Sequence, residues 1–210
     1  MKIQADRLKS ALKYLMKVSR KTPNGMTSLM MITASDGVLM LSTTDFKTIA
    51  TALFDVENTE TRALAVDAKR FSDAAKSAHD TISIEFEDAH IVVRKGRSKT
   101  RLIGLDCVDS WPTRASAGNV IGCHPIAFAA AIEMVRRSAS KDDARANLCG
   151  IYTTTIDGLR RWVATDGHRM TIAEIASPVD EAAPMIIPIR TAMIIASMCQ
   201  DGATLRSDGN

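Results

Sequence analysis

The heptapeptide ATDGHRM at residues 164–170 contains the residue types best suited to chemistry in this chain. Asp166 lies two positions before His168, and a carboxylate so placed could orient the imidazole as a general base. A hydrolytic site would also need a nucleophile, and the GxSxG motif that presents one is missing from the sequence. Asp and Gly also favour a tight turn between strands, which would leave His168 exposed or at the rim of a recognition groove. The turn is the favoured interpretation, and we predict that the chain is not an enzyme.

Metal and nucleotide sites find little support in the sequence. The four histidines are His79, His90, His124 and His168. They are far apart, and none has a second His, Cys or carboxylate at ligand spacing. Neither GxxxxGK nor GxGxxG follows a predicted strand, so we predict no nucleotide, no metal and no other cofactor. The four cysteines form no CxxC pair, which indicates reduced thiols used as small core residues. They are Cys107, Cys123, Cys149 and Cys199.

Composition and charge exclude several classes of protein. At 210 residues with 46% hydrophobic side chains, the chain can bury a core in each of two domains. No apolar run approaches the roughly 20 residues that a membrane span needs, and the N-terminus lacks the apolar stretch of a signal peptide. We therefore expect a cytoplasmic protein. A net charge of +3 is too small to identify a nucleic-acid binder by itself.

Two separate segments of the sequence recur at one constant spacing. Residues 36–45 (DGVLMLSTTD) return with substitutions as residues 157–166 (DGLRRWVATD), an offset of 157 − 36 = 121 residues. The same offset sets 64–69 (LAVDAK) over 185–190 (MIIPIR), an apolar strand that leads into a helix with a basic residue at its start. Repetition at this length predicts two copies of one fold, and copies related by a regular rotation build rings and arcs.

Hydrophobic periodicity predicts an α+β protein in which a strand, a helix and three strands recur as a unit. Predicted helices cover 8–18, 68–78, a segment around 128–135, and 189–199. Predicted strands are 29–34, 38–43, 49–56, 63–67, 81–86, 91–95, 99–105, 120–123, 150–155, 159–165, 170–175 and 185–187, and another begins at 203. Residues 109–118 are rich in Pro, Ser and Gly, which indicates a linker. The predicted domains are therefore 1–108 and 119–210.

The second copy is expected to be incomplete at its C-terminus. Under the constant offset Asn210 corresponds to Ala89 (210 − 121 = 89), so no counterpart of residues 91–105 follows. The sheet of the second domain would then have an uncovered edge, which pairs readily with any available strand. We expect another chain or further residues to cover that edge, and self-association or poor solubility where nothing does.

The basic residues concentrate on the predicted helices and their ends. They are Arg7, Lys9, Lys13, Lys17, Arg20, Lys21, Lys69, Arg70, Lys76, Arg136, Arg137 and Arg190. A solvated helix face is the common explanation of such charges. If all the helices faced one concave surface, the same residues would form a track for phosphates that is indifferent to base sequence.

Six segments in the same order resemble the bacterial DNA polymerase III beta subunit family, the sliding clamps. They are MKIQADRLKSALKYLMKVS, TTDFKTIA, VDAKRFSDAAKSA, IVVRKGRSKTRL, LDCVDSWP and, most distinctively, VATDGHRM. The resemblance runs through essentially the whole chain. It implies the DNA-clamp fold, in which repeated domains form a ring with antiparallel sheets outside and helices inside. It also implies a homo-oligomeric processivity factor that encircles double-stranded DNA without sequence preference.

The resemblance also implies two sets of site residues. The groove that takes a short peptide of the replicative DNA polymerase and of the clamp loader would be lined by Leu148, Thr165, Gly167, His168, Arg169 and Met170. The residues that would face DNA are Arg20, Lys21, Lys69, Arg70, Arg136, Arg137 and Arg190.

The chain departs from the family pattern in two respects. The loop after the first helix is shorter, which puts the DNA role of Arg20 and Lys21 in doubt. Family members have three such domains, whereas this sequence has one and most of a second. A fragment, a naturally shortened clamp and a two-domain subunit all remain open, as does a clamp-derived peptide-binding module that closes no ring.

Overall fold

The chain forms two compact units, Met1–Arg114 and Ala115–Asn210. The computed structural model describes residues 1–19, 25–46, 48–57, 60–112, 119–120, 124–176, 184–199 and 206–207. The boundary between the units falls inside the stretch 109–118 that the sequence indicates as a linker. A 3₁₀ helix at Val108–Ser110 spans the predicted end of the first domain.

The first unit contains two four-stranded antiparallel sheets and two helices. In chain order its elements are β1 (Lys2–Gln4), α1 (Ala5–Val18), β2 (Leu29–Ser35), β3 (Val38–Thr44), β4 (Ile49–Asp55), β5 (Arg62–Asp67), α2 (Ala68–Lys76), β6 (Thr81–Glu87), β7 (His90–Lys95) and β8 (Ser98–Ile103). The strand orders are β4-β3-β2-β5 and β1-β6-β7-β8. Strand β1, which precedes α1, therefore joins the sheet of β6, β7 and β8. Strand β5, which precedes α2, joins the sheet of β2, β3 and β4.

The helices of the first unit form because each buries one apolar face. Along α1 the buried positions are spaced by three or four residues, and they are Ala5, Leu8, Leu12, Leu15 and Val18. Helix α1 packs beside α2 and against the sheet of β3 and β4. The Thr43 hydroxyl of β3 donates to the Leu15 carbonyl at 2.9 Å, a buried hydrogen bond that fixes the helix on the sheet.

The second unit repeats this arrangement in the residues that the structure describes. Its elements are β9 (Asn119–Val120), α3 (Pro125–Val135), β10 (Gly150–Ile156), β11 (Leu159–Thr165), β12 (Met170–Ala176), β13 (Met185–Pro188), α4 (Ile189–Ala196) and β14 (Arg206–Ser207). One sheet has the order β12-β11-β10-β13, and β14 pairs with β9. Phe128 of α3 meets Trp162 of β11 edge to face, with ring centroids 4.9 Å apart, at the centre of the core.

The predicted internal repeat is confirmed by the strand boundaries. Strands β10, β11 and β12 begin and end 121 residues after β2, β3 and β4, in agreement with 157 − 36 = 121. The register is also the same, because Met31 pairs with Ser42 and Tyr152 pairs with Val163. The Asp-Gly turns at 36–37 and 157–158 have positive φ at both residues, as tight hairpin turns require. The predicted α+β class with repeated antiparallel units is thus confirmed.

Candidate functional site

The ATDGHRM segment is a tight connection between two paired strands. Strand β11 ends at Thr165 and β12 begins at Met170, and these two residues are partners in the sheet register. The Thr165 hydroxyl donates to the Arg169 carbonyl at 2.8 Å and accepts the Gly167 N–H at 3.1 Å. Gly167 has φ +92°, a conformation that a residue with a side chain rarely adopts. The favoured interpretation of this string as a turn is confirmed.

The carboxylate of Asp166 holds this turn together. Its Oδ1 accepts the backbone N–H groups of His168 and Arg169, each at 3.0 Å, and its Oδ2 accepts the Arg169 Nε at 3.0 Å. These backbone hydrogen bonds, with the Arg169 charge, lower the pKa of Asp166 below its ordinary value. A catalytic interpretation needs the Asp166 carboxylate to bond the His168 imidazole, but the carboxylate bonds the backbone and the Arg169 side chain instead. His168 itself is exposed.

Leu148 lies in a short helical segment that precedes strand β10. It ends the 3₁₀ segment Asp143–Leu148, is half-buried, and accepts the Ser140 N–H on its carbonyl at 2.9 Å. The preceding residues are polar and show no period, and the Asp142 side chain caps the segment by accepting the Ala144 N–H. Strand β10 follows at Gly150 and pairs with β11. The fold therefore brings Leu148 to the same end of the sheet as the turn.

The predicted groove residues differ in how accessible they are. Leu148 and Thr165 are half-buried, whereas the other four are exposed. Met170 shows 62% of its surface, so a large apolar side chain is accessible beside the turn. The four exposed residues are Gly167, His168, Arg169 and Met170.

An apolar row beside the turn was not identified from the sequence. Tyr152 pairs with Val163 and with Ile186, and Val163 pairs with Ile172, so the four side chains cross the sheet in one line. Tyr152, Ile172 and Ile186 are exposed. The alternation of apolar residues along each strand indicates one buried face, but a second apolar face appears only when the strands are placed in register.

The predicted DNA-facing residues occupy comparable places in the two units. Lys69 and Arg70 are exposed in the first turn of α2, whose N-cap Asp67 accepts the Arg70 N–H at 2.7 Å. Arg190 is half-buried in the first turn of α4, and the 121-residue offset sets it on Lys69. Arg20 and Lys21 lie outside the described residues.

Arg136 and Arg137 lie just beyond α3, in a 3₁₀ turn at Arg136–Ser138. The Arg136 guanidinium donates two hydrogen bonds to Glu133, at 2.6 and 2.7 Å, and Arg137 lies 3.9 Å from the same carboxylate. The bonds from Arg136 lower the pKa of Glu133. Part of the positive charge expected at this helix end is therefore already balanced within the chain.

The positive charge of the helices is concentrated in the first unit. Helix α1 carries four basic residues and one acidic residue, and α2 carries three basic residues and one acidic residue. Helix α3 carries only Glu133, and α4 carries only Arg190. The exposed side of α3 bears Ile126, Ala130 and Met134 in place of lysines. The expectation of basic helices thus holds for α1 and α2, and α3 departs from it.

In the part of the chain that the structure describes, no group of three or more His, Cys, Asp or Glu residues comes close enough together to hold a metal ion. Among the same residues, no helix is both long and apolar enough to cross a membrane.

Comparison with known proteins agrees with the fold. Residues 124–206 match the central domain of the DNA polymerase III beta subunit. The chain is 26% identical over 189 residues to the beta sliding clamp of Rickettsia bellii, covering 83% of this chain and 47% of that protein. It is 25% identical over 212 residues to the beta sliding clamp of Micrococcus luteus, covering 97% of this chain and 67% of that protein.

Solved structures share the fold. The crystal structure of the DNA polymerase III subunit beta from Pseudomonas aeruginosa superposes with a TM-score of 0.86 at 22% identity. The superposition covers 96% of this chain and 57% of the Pseudomonas chain. This chain spans about half the length of the Rickettsia relative, at 47%. The repeated units, the matched central domain and the clamp fold together bear out the resemblance of this chain to the bacterial DNA polymerase III beta subunit, or sliding clamp, family.

Proposed function

We propose that this chain acts as a sliding clamp, a processivity factor that encircles duplex DNA and tethers the replicative polymerase without catalysing a reaction. The observation that carries the proposal is the ATDGHRM turn, which presents Met170 and Arg169 to solvent on a unit of the sliding clamp family. Its partners would be double-stranded DNA, the polymerase and the clamp loader, and further copies of the chain would complete a ring. The exposed turn supports the peptide role, and the basic first turns of α2 and α4 independently support the DNA role.

The turn and the neighbouring apolar row have the properties of a peptide-binding surface. Met170 and the half-buried Leu148 supply apolar area, and the exposed backbone at Gly167 supplies hydrogen-bonding groups. Apolar anchors usually dominate such binding, while a polar rim sets the orientation of the ligand. An extended peptide with Gln at one end and Leu-Phe at the other suits this surface, with the Leu-Phe end on the apolar residues.

Titration with that peptide tests this half of the proposal. We expect the amide NMR signals of Gly167 and His168 to shift at up to millimolar peptide, because both residues lie in the turn that would contact it. Met170→Ala should weaken binding, since it removes an exposed anchor. Met134→Ala, which is 60% exposed on α3, is the matched control and should leave binding unchanged. Unmoved signals, or shifts confined to other residues, would refute a functional groove.

The basic helix starts support contact with DNA phosphates. Lys69 and Arg70 are exposed at the N-terminal turn of α2, and Arg190 takes the corresponding place in α4. Binding through phosphates should be weak, indifferent to sequence and steeply reduced by salt, because counterions are released. Replacing all three residues with alanine should weaken binding to unrelated duplexes equally. Arg97→Ala, in the exposed turn between β7 and β8, should have no effect. A loss on one duplex sequence alone would contradict a phosphate track.

A clamp-derived peptide-binding module that closes no ring is the second candidate, and the apolar exposed side of α3 favours it. A helix surface that carries Ile126 and Met134 in place of lysines is poorly suited to line a channel around DNA. Light scattering separates the two functions. A closed symmetric assembly that is retained on primed circular DNA supports the clamp, whereas a monomer that still binds the peptide supports the module.

A further inference from the structure

We infer that Arg145 is a positioning residue that holds the ATDGHRM turn at a fixed place beside Leu148. Its Nε donates to the Asp142 Oδ2 at 3.0 Å, and its Nη1 donates to the Asp166 carbonyl at 3.3 Å. One guanidinium therefore links the 3₁₀ segment that carries Leu148 to the turn that carries Met170. The inference rests on the proposed peptide site, because its consequence is the spacing of two walls of that site.

The anchor on the Asp142 side is itself fixed. The Asp142 N–H donates to the Ser140 Oγ at 3.1 Å, and its Oδ1 accepts the Ala144 N–H at 3.1 Å. Its carbonyl accepts the Arg145 N–H at 3.0 Å and the Cys149 thiol at 3.1 Å. Three bonds to its backbone groups and one to its carboxylate hold Asp142 in place, so Asp142 defines where Arg145 lies.

The backbone at Arg145 departs from the helix around it. Its φ of −109° and ψ of 62° interrupt the 3₁₀ segment Asp143–Leu148. Such a break changes the direction in which the side chain leaves the backbone. The neighbouring residues have helical geometry, so the break coincides with the one side chain of the segment that reaches Asp166.

The bond to Asp166 acts on one peptide unit of the turn. The carbonyl of Asp166 and the N–H of Gly167 belong to the same peptide, and the N–H donates to the Thr165 hydroxyl at 3.1 Å. Arg145 holds the carbonyl side of this peptide, and Thr165 holds the N–H side. A Cβ placed on Gly167 would lie 3.4 Å from the Arg145 Nη1, so the guanidinium also packs on the glycine. The peptide plane, and with it the direction of Gly167 and His168, is thereby set.

The positioning role of residue 145 depends on the geometry of the guanidinium more than on its charge. A guanidinium presents several N–H donors in a rigid planar fork, so it can bond a carboxylate and a carbonyl in different directions at once. A lysine ammonium keeps the charge but holds no fixed angle between two acceptors. The Arg145 side chain is 46% exposed, so its contribution to folding stability is small. Its effect should appear in the turn and not in the unfolding midpoint.

The test compares Arg145→Lys and Arg145→Ala with Arg161→Ala in the full chain. Arg161 makes an exposed ion pair with Glu174 at 2.6 Å on the same sheet, away from the turn, and is the matched control. In the free protein, both Arg145 variants should shift the amide signals of Gly167 and His168 and speed hydrogen exchange at Arg169. Affinity for the peptide with Gln and Leu-Phe ends should fall roughly 3- to 10-fold, the value of one lost hydrogen bond. Arg145→Lys should fall between wild type and Arg145→Ala, and Arg161→Ala should match wild type.

The possible outcomes separate this inference from the proposed function. Unchanged turn signals in both Arg145 variants overturn the positioning role whatever the peptide does. Shifted turn signals with unchanged peptide affinity also overturn it, because the turn position would then not matter for binding. If wild type binds no peptide while the variants disturb the turn, the proposed peptide function fails and the positioning of the turn stands. If Arg145→Ala does not fold, Arg145→Lys carries the comparison, since it keeps the charge and the aliphatic stem.

Discussion

Asp166 shows how a residue can look catalytic and serve a structural role. In the sequence it stands two positions before a histidine, an arrangement that could orient a general base. In the structure its two oxygens accept bonds from the backbone of His168 and Arg169 and from the Arg169 side chain. A short carboxylate that bonds the backbone two and three residues ahead stabilises a turn, and this leaves the imidazole directed to solvent.

The charge state of Asp166 should control the order of the turn. Hydrogen bonds from His168 N–H and then Arg169 N–H lower its pKa below 3.8, so the carboxylate favours the folded turn above that pH. The contribution is lost as the pH falls through the lowered pKa of the folded state. The amide signal of His168 should therefore change with a midpoint below pH 3.8, as an NMR titration can measure. Asp166→Asn should abolish the change, and a midpoint at or above 3.8 in the wild-type protein would contradict this account.

At the scale of elements, α3 is held to its sheet by a buried apolar face that includes one aromatic contact. Phe128 and Trp162 are fully buried and meet edge to face at 4.9 Å. The helix has little polar character of its own, so burial and not surface charge holds it in place. Its outer side could change without cost to the core, which fits the presence of exposed Ile126 there.

Phe128→Ala should destabilise the chain by about 3–5 kcal/mol, because it removes a buried ring and leaves a cavity beside Trp162. Ile126→Ala, on the exposed side of the same helix, should change stability by no more than about 0.5 kcal/mol. Urea unfolding followed by tryptophan fluorescence measures both. Similar losses in the two variants would show that the burial assigned to the helix faces is incorrect.

Helix α2 is joined to the neighbouring sheet at its C-terminal end. The Lys95 ammonium at the end of β7 donates to the Ala74 carbonyl at 2.9 Å and to the Ser77 hydroxyl. Cations are favourable at this end of a helix, where carbonyl groups lack partners. Lys95→Ala should therefore cost about 1 kcal/mol of unfolding free energy.

Arg97→Ala is the control for the Lys95 variant, because Arg97 is exposed two residues away in the same hairpin. Its effect should lie within about 0.5 kcal/mol. Thermal unfolding with both variants in one buffer provides the comparison. A Lys95→Ala protein as stable as Arg97→Ala would mean that the helix end needs no partner.

The sequence predicted the strands of this fold better than the segment between α3 and β10. Alternating apolar residues and Asp-Gly turns locate β10 and β11 because both signals are local. The 3₁₀ segment Asp143–Leu148 is linked through Arg145 to Asp166, a residue of the turn between β11 and β12, and no local pattern indicates so distant a contact.

The buried position of Arg160 was also missed, although a signal existed. Arg160 is fully buried, donates to the Thr153 hydroxyl at 2.8 Å and stacks over Trp162. In a strand, residues two apart share a face, so Arg160 had to lie on the buried side with Trp162.

At the scale of the whole molecule, the two units differ in charge more than in fold. The helices of the first unit carry seven basic and two acidic residues, whereas α3 and α4 carry one of each. On α1, Lys9, Lys13 and Lys17 recur every four residues, which places one cation about every 6 Å along one face. The first unit therefore offers the stronger attraction for phosphates.

Two matched double variants should reveal this difference. Lys13→Ala with Lys69→Ala removes two charges from the first unit, and Arg137→Ala with Arg190→Ala removes two from the second. The first pair should reduce the slope of log affinity against log salt by about 1.8, at about 0.9 for each contact. The second pair should reduce it less, because Glu133 already balances Arg137. Fluorescence anisotropy on two unrelated duplexes measures both slopes, and an equal or larger loss for the second pair would contradict the asymmetry.

The pairing of each unit's first strand with a strand distant in sequence has a consequence for folding during synthesis. Strand β1 pairs only with β6 in the first unit, where Lys2 lies opposite Ser83, and β9 pairs with β14 in the second, where Asn119 lies opposite Ser207. Each unit must therefore bring the two ends of a long segment together before its second sheet can form. The entropy of closing such loops slows folding, as it does in other proteins rich in distant contacts. A chain emerging from the ribosome would hold β1 without its partner until β6 had also emerged, so this edge would stay open during much of the synthesis of the first unit.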